Sequence, residues 1–295
     1  MIIKGLSRIG VFFLYLLSLL PFWLLYIISD VLYIILYYII GYRRAVVDEN
    51  LSNSFPEKTA EERKVIAKKY YRYLGDLIME TFKMLSISKE ESRRRFSPAK
   101  PDTDQRVRDH LAQDRTVLVA AGHYGNWELS ALSCSMITDK DRIVVYKPLA
   151  DEVFDDMFKK MRSRFGGTPV AMKDTLRKLA TLRGKPSLTV LVSDQTPVRE
   201  TVQYFTQFLN QPTAIFLGIE KLANAMNAVV GFWDVRCVKR GYYTYEFVVL
   251  TTEPKQLAEY EITNMHVAYL EQMIKAEPQY WLWSHKRWKF KPEHV

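Results

Sequence analysis

At 295 residues, 48% of them apolar, the chain has hydrophobic material for one large domain with an appendage. Two cysteines exclude a disulfide scaffold and a cysteine metal framework, and Cys134 and Cys237 read as buried thiols. A net charge of +9 calls for an anionic partner, and without a helix-turn-helix, zinc-finger or RNA-binding signature that partner is a lipid surface, not nucleic acid.

The first element is apolar. Residues 11–29 carry no charge, and a second apolar run, 31–42, follows the single charge Asp30. Crossing a bilayer as a helix takes about 20 apolar residues, which the first run just reaches. Pro21 in its middle should kink it or break it into two shorter helices. A signal peptide fits poorly, because the run is long, lacks a small-residue cleavage site and leads into more apolar sequence. Phe, Leu, Ile, Trp and Tyr cover every face, which argues against a core helix. Residues 1–45 are therefore expected to be a membrane anchor and 46–295 an α/β domain. Lys4 and Arg8 precede the anchor, and Arg43 and Arg44 follow it. Basic flanks on both sides choose no orientation and fit two flanks on one side, so spanning and re-entrant anchors both remain open.

Residues 60–85 have helical periodicity, and the charged stretch 89–95 reads as a solvated connection. From residue 116 strands and helices alternate. Strands are expected at 116–121, 142–146 and 187–192, and helices at 152–165, 174–183 (stopped by Gly184) and 213–227. Strands 229–236 and 243–250 look antiparallel, and a long helix should run from about 255 to 276. This pattern predicts an α/β fold, a mixed, mostly parallel sheet flanked by helices on both faces.

Three expected strand ends carry polar groups: His123, Lys147 and the pair Asp194 and Gln195. Parallel strands would bring them to one edge of the sheet, where such folds place their chemistry. Ordinary loop polarity is the competing reading of Lys147 and Asp194. His123 follows a buried strand and Gly122, and Asn126 is a good N-cap that puts Glu128 in the first turn of a helix. A histidine five residues before a carboxylate can take a proton from a hydroxyl while the acid fixes its tautomer. The spacing alone is weak. His266 and Glu271 repeat it within a continuous helix, roughly 140° apart around the axis, and His266 reads as a surface or partly buried residue. Arg162 and Arg164, before Gly166 and Gly167, fit either a solvated helix face or an anion site. The tail from Glu277 to Lys289 mixes tryptophans with basic groups and fits a membrane interface or a packed cap equally.

Four ordered motifs together resemble the lipid A biosynthesis late acyltransferases of the glycerolipid acyltransferase-like superfamily. They are Gly122-His123-Tyr124-Gly125-Asn126-Trp127-Glu128, then Val145-Tyr146-Lys147-Pro148, then Asp194-Gln195, then Glu277-Pro278-Gln279-Tyr280 with Trp283 to Lys289. Lys147 stands where the family usually has arginine, and Tyr204-Phe205 and Phe208-Leu209 replace a short glycine-phenylalanine pattern. The resemblance implies transfer of a fatty acyl group from an acyl carrier protein thioester to a hydroxyl of a lipid A precursor. His123 would be the base and Glu128 its orienting acid, as the aspartate is in serine-protease triads. Backbone N–H groups near Asn126 would meet the oxyanion. Arg164, with Arg162 and Lys147 behind it, would hold acceptor phosphates or the carrier protein, and Asp194 and Gln195 would position. No metal or redox cofactor is implied, and the expected location is the cytoplasmic side of a bacterial inner membrane. Two alternatives stand beside this. One is a related acyltransferase with another membrane acceptor, such as a phosphatidylinositol mannoside or aminolipid. The other is a membrane-anchored binding protein without activity.

Overall fold

The computed structural model describes residues 2–182 and 184–292. The apolar runs form α1 (Ile2–Leu19) and α2 (Phe22–Ile34), and a π-helical turn, Ile35–Ile39, extends α2. Pro21, which has no N–H to continue a helix, sits at the break between them. Next come α3 (Arg44–Ser54) and α4 (Ala60–Lys83), the latter started by a Thr59/Glu62 capping box. Residues 89–95, expected as a solvated connection, are instead α5 (Lys89–Arg95), capped by Ser88. Its last residue is buried: Arg95 bonds Glu91 Oε1 (2.6 Å) and Gly241 O (3.0 Å) and lies 3.3 Å from the centre of the Phe22 ring.

The alternating part begins with β1 (Phe96–Pro98), α6 (Thr103–Ala112), β2 (Val117–Ala121) and α7 (Trp127–Cys134). It continues through β3 (Asp141–Tyr146), α8 (Glu152–Ser163), β4 (Thr168–Ala171), α9 (Thr175–Ala180) and β5 (Ser187–Val192). The helix expected to reach residue 183 thus stops at Ala180, and Arg183 lies outside the described residues. The helix expected from 213 starts later. Residues 205–214 form a separate hairpin of β6 (Phe205–Phe208) and β7 (Gln211–Ala214), closed by two left-handed residues, Leu209 (φ 50°) and Asn210 (φ 62°). After it come α10 (Gly218–Met226), β8 (Val229–Lys239), β9 (Tyr242–Thr251) and α11 (Glu261–Ala276). α11 begins six residues later than its periodicity predicts, because its start is capped from a distance. Glu220 of α10 accepts from the backbone N–H of Tyr260 (2.6 Å) and Thr263 (3.0 Å).

The main sheet has the order β1-β9-β8-β2-β5-β3-β4, parallel throughout except between β8 and β9. Helices cover both faces. In β2, Leu118 and Ala120 join the core under α4, α10 and α11, while Val117, Val119 and Ala121 join the core under α6 and α7. The fold is therefore α/β with a mostly parallel sheet.

Helix α2 packs along α4 through a polar seam. Ser29 Oγ donates to Asp76 Oδ1 (2.5 Å), and Arg240 bonds both Asp76 (2.6 Å) and Asp30 (2.8 Å). The opposite side of α2 presents Trp23, Ile27, Val31, Ile34 and Tyr38, an exposed stripe at helical spacing. Residues Phe22–Ile39 are long and apolar enough to cross a membrane.

Candidate active site

Strand register brings the site together. Ala121 of β2 pairs in parallel with Val192 of β5, and His123 and Asp194 each follow two residues later. Equal path lengths from a shared register put the two side chains next to each other. His123 Nδ1 lies 2.6 Å from Asp194 Oδ1, and the His123 backbone N–H donates to Asp194 Oδ2 at 2.9 Å. A carboxylate only accepts, so Nδ1 carries a proton, and in the neutral ring Nε2 then keeps the lone pair. The Gln195 amide donates to Nε2 (3.1 Å), and the Trp127 ring meets the imidazole edge-on at 5.0 Å. Burial alone would push the Asp194 carboxyl up. The His123 ring, its backbone N–H and the Trp281 indole outweigh burial and hold it down at about 2.

The C-terminal tail clamps this loop. Trp281 Nε1 donates to Asp194 Oδ2 (2.7 Å), Leu282 N to His123 O (3.2 Å) and Gly125 N to Tyr280 O (3.0 Å). Trp281 and Trp283 are fully buried, so of the two readings of the tail the packed cap describes this part. Trp281 is the site residue that sequence reasoning missed, although it lies between two parts of a motif already singled out. Glycine acts here in two ways. Gly125 (φ +59°) makes the left-handed turn of this loop, while Gly122 is needed for close approach, since a Cβ there would fall 2.6 Å from Leu270.

Four expectations about side chains need correcting. The acid beside His123 is Asp194, not Glu128. Glu128 accepts from both Nε (2.8 Å) and Nη2 of Arg162, across α7 and α8, so its carboxylate is already spent. The same pairing neutralises Arg162, which is only 14% exposed and is not a free anion-binding cation. Arg164 Nη1 donates to the backbone carbonyl of Met84. Asn126 does cap α7, but it is fully buried, with Oδ1 on Leu129 N (2.8 Å) and Nδ2 on Glu80 Oε2 (2.7 Å), so its side chain cannot touch a substrate. Lys147 is exposed past the end of β3. His266, expected at or near the surface, is buried behind Asp194 in a cavity of about 10 Å³ shared with Arg287.

Among the described residues no cluster of His, Cys, Asp and Glu could hold a metal ion. In its neutral form the oriented imidazole can take a proton at the carboxyl ends of the parallel strands β2 and β5.

The sequence profile of the family described as bacterial lipid A biosynthesis acyltransferase matches residues 1–290. The chain is 26% identical over 257 residues to a lipid A biosynthesis lauroyltransferase of Escherichia coli K12, covering 86% of this chain and 81% of that protein. It is 23% identical over 254 residues to a lipid A biosynthesis palmitoleoyltransferase of the same organism, covering 85% of this chain and 80% of that one. A lipid A biosynthesis acyltransferase of Shigella flexneri matches to the same extent, 23% over 254 residues.

Proposed function

The chain belongs to the bacterial lipid A biosynthesis acyltransferase family, and from that premise we propose that it moves a fatty acyl chain from acyl carrier protein to a hydroxyl of a lipid A precursor. The observation that carries this reading is the His123 imidazole, held by Asp194 with its Nε2 lone pair at the sheet edge. The acceptor hydroxyl replaces the Gln195 amide at Nε2 and gives up its proton there as its oxygen attacks the thioester carbonyl. The tetrahedral intermediate then collapses, the carrier's thiolate leaves, and the imidazolium returns the proton to it. A thiol with a pKa near ~8.5 is a good leaving group, so one base with one orienting acid suffices. Asp194 fixes the tautomer and stabilises the imidazolium. The Gln195 amide, once displaced, is a side-chain donor for the oxyanion.

Glu128 acts through Arg162, by keeping that guanidinium beside the first turn of α7. Lys147, exposed at the neighbouring strand end, meets acceptor phosphate or the acidic carrier protein. The location that fits an acidic carrier and an embedded acceptor is the cytoplasmic face of the inner membrane. No metal or redox group enters the steps above.

The test is a detergent assay with lauroyl and palmitoleoyl carrier-protein thioesters and a tetra-acylated lipid A precursor, read by mass spectrometry. Wild type should add one acyl chain and His123→Ala none. Asp194→Asn should lower kcat by about 10²- to 10⁴-fold, because an amide does not define the tautomer. No product from wild type with either donor would sink the substrate assignment. Full activity in Asp194→Asn would sink the role given to Asp194.

A further inference from the structure

Glu80 belongs to no motif, yet it is a carboxylate buried to 4% exposure at the point where three parts of the fold meet. Its Oε2 accepts from Asn126 Nδ2 (2.7 Å) and from the Tyr243 hydroxyl of β9 (2.9 Å), and its Oε1 from the Tyr26 hydroxyl of α2 (3.0 Å). Two helical turns earlier on α4, the Tyr73 hydroxyl donates to Gly125 O in the same loop. One helix therefore grips the His123–Asn126 loop at two successive residues.

We propose that Glu80 is a positioning residue for acyl transfer, one that sets the side-chain amide of Asn126 and with it the loop carrying His123. The inference rests on the reading of His123 as the base. A carboxamide is nearly symmetric in shape, so a buried Asn126 could sit either way round. Only one orientation caps α7, with Oδ1 on the Leu129 N–H. An acceptor on the other side selects that orientation, and Glu80 Oε2 is that acceptor whether or not the acid is protonated. A proton on Oε1 would simply be donated to the Tyr26 oxygen, leaving Oε2 free to accept. Glutamine can reproduce this, with its oxygen toward Asn126 and Tyr243 and its NH₂ toward Tyr26.

The pair can be tested by exchanging donor and acceptor. Asp caps helices as well as Asn does, so Asn126→Asp would be mild if Asn126 were only a cap. Beside an ionised Glu80 it sets two acceptor oxygens against each other, so in assays above the pH range in which Glu80 keeps its proton kcat should fall by about 10- to 100-fold with KM little changed. Adding Glu80→Gln supplies a donor to the new carboxylate and should bring kcat back to within about threefold of wild type. Glu80→Gln alone should cost no more than about threefold, and Glu80→Leu should lose as much as Asn126→Asp. A double variant no more active than Asn126→Asp, or Glu80→Leu at the wild-type rate, overturns the proposal. If Asn126→Asp alone does not fold, a double variant that folds but is inactive overturns it equally.

A second readout needs no substrate. In protein with ¹⁵N-labelled histidine, the Nδ1 proton signal of His123, held by Asp194, should be lost in Asn126→Asp and restored by the double exchange. The same signal in all variants would overturn the proposal even if no acceptor had been found. Its loss and recovery, with no turnover in wild type, would instead put the fault in the substrate assignment.

Discussion

Burial pushes the Glu80 carboxyl up to about 7, against hydrogen bonds from Asn126, Tyr243 and Tyr26 that favour its anion. In the unfolded chain the same group titrates near ~4.3. The folded state therefore holds the proton more tightly, and this contribution to stability is complete below about pH 4.3, shrinks as pH rises, and is gone above about pH 7. At about 1.4 kcal/mol per unit, the loss across that window is on the order of 4 kcal/mol. Glu80→Gln removes it, so the variant should gain on wild type steadily from pH 5 to pH 7 and hold that gain to pH 8 in thermal unfolding. Subtracting the two curves cancels His266 and His285, which burial pushes down to about 4 in both proteins. A constant gap between the curves would mean that Glu80 does not titrate in this range. Single residues differed in how readable they were. His123 stands out in sequence because a strand, a glycine and an N-cap surround it. Its partner Asp194 lies 71 positions away, joined only by strand register, while Glu128, near in sequence, is turned to α8. Glu80 had no local signal, since its role comes from what α2 and β9 bring to it.

Among elements, the Glu128–Arg162 pair pins the first turn of α7 to the last turn of α8. Both side chains are largely buried, at 12% and 14% exposure, and Arg162 also lies against the Tyr146 and Phe158 rings. Removing one partner strands a buried charge, which typically costs about 3–5 kcal/mol, whereas removing both leaves none stranded. Glu128→Gln and Arg162→Met should each lower stability by about 3 kcal/mol, and the double variant by clearly less than their sum. Denaturant unfolding of the four proteins measures the difference. Strict additivity would mean that the two groups do not act as a pair, and Glu128 would then be free to serve His123. Elements with local signals were legible: β5 at Ser187–Val192, the antiparallel β8 and β9, and the break at Pro21. Those shaped by tertiary contacts were not. A leucine at φ 50° closes the β6–β7 hairpin, and a glutamate 40 residues upstream fixes the start of α11. Periodicity carries neither fact.

At the scale of the whole molecule, the N-terminal helices are tied to the α/β part along their entire length. Lys4 pairs with Glu152 at the start of α8 (2.7 Å), and Lys83 bonds Ser18 O and Leu20 O at the break between α1 and α2. Asp30 meets Arg240 midway along α2, and Arg43 reaches Ser284 O just past its end (3.0 Å). A helix that crossed the bilayer would carry one of these points to the far side, about 27 Å away for 18 residues. All four contacts cannot survive that. With all four contacts kept, the segment is expected to lie flat, its seam of Ser29, Asp30, Asp76 and Arg240 facing the protein and the exposed stripe of α2 facing lipid. Basic groups before and after the apolar runs then sit on the same side, as the flank charges allow. Single cysteines at Lys4→Cys and Ala45→Cys, in a Cys237→Ser background that leaves only the buried Cys134, report this directly. In sealed membrane vesicles a membrane-impermeant maleimide should label both sites or neither, according to vesicle orientation. Labelling of one site alone would establish a crossing, and the contacts at Lys83 and Arg240 would then have to open when the protein inserts.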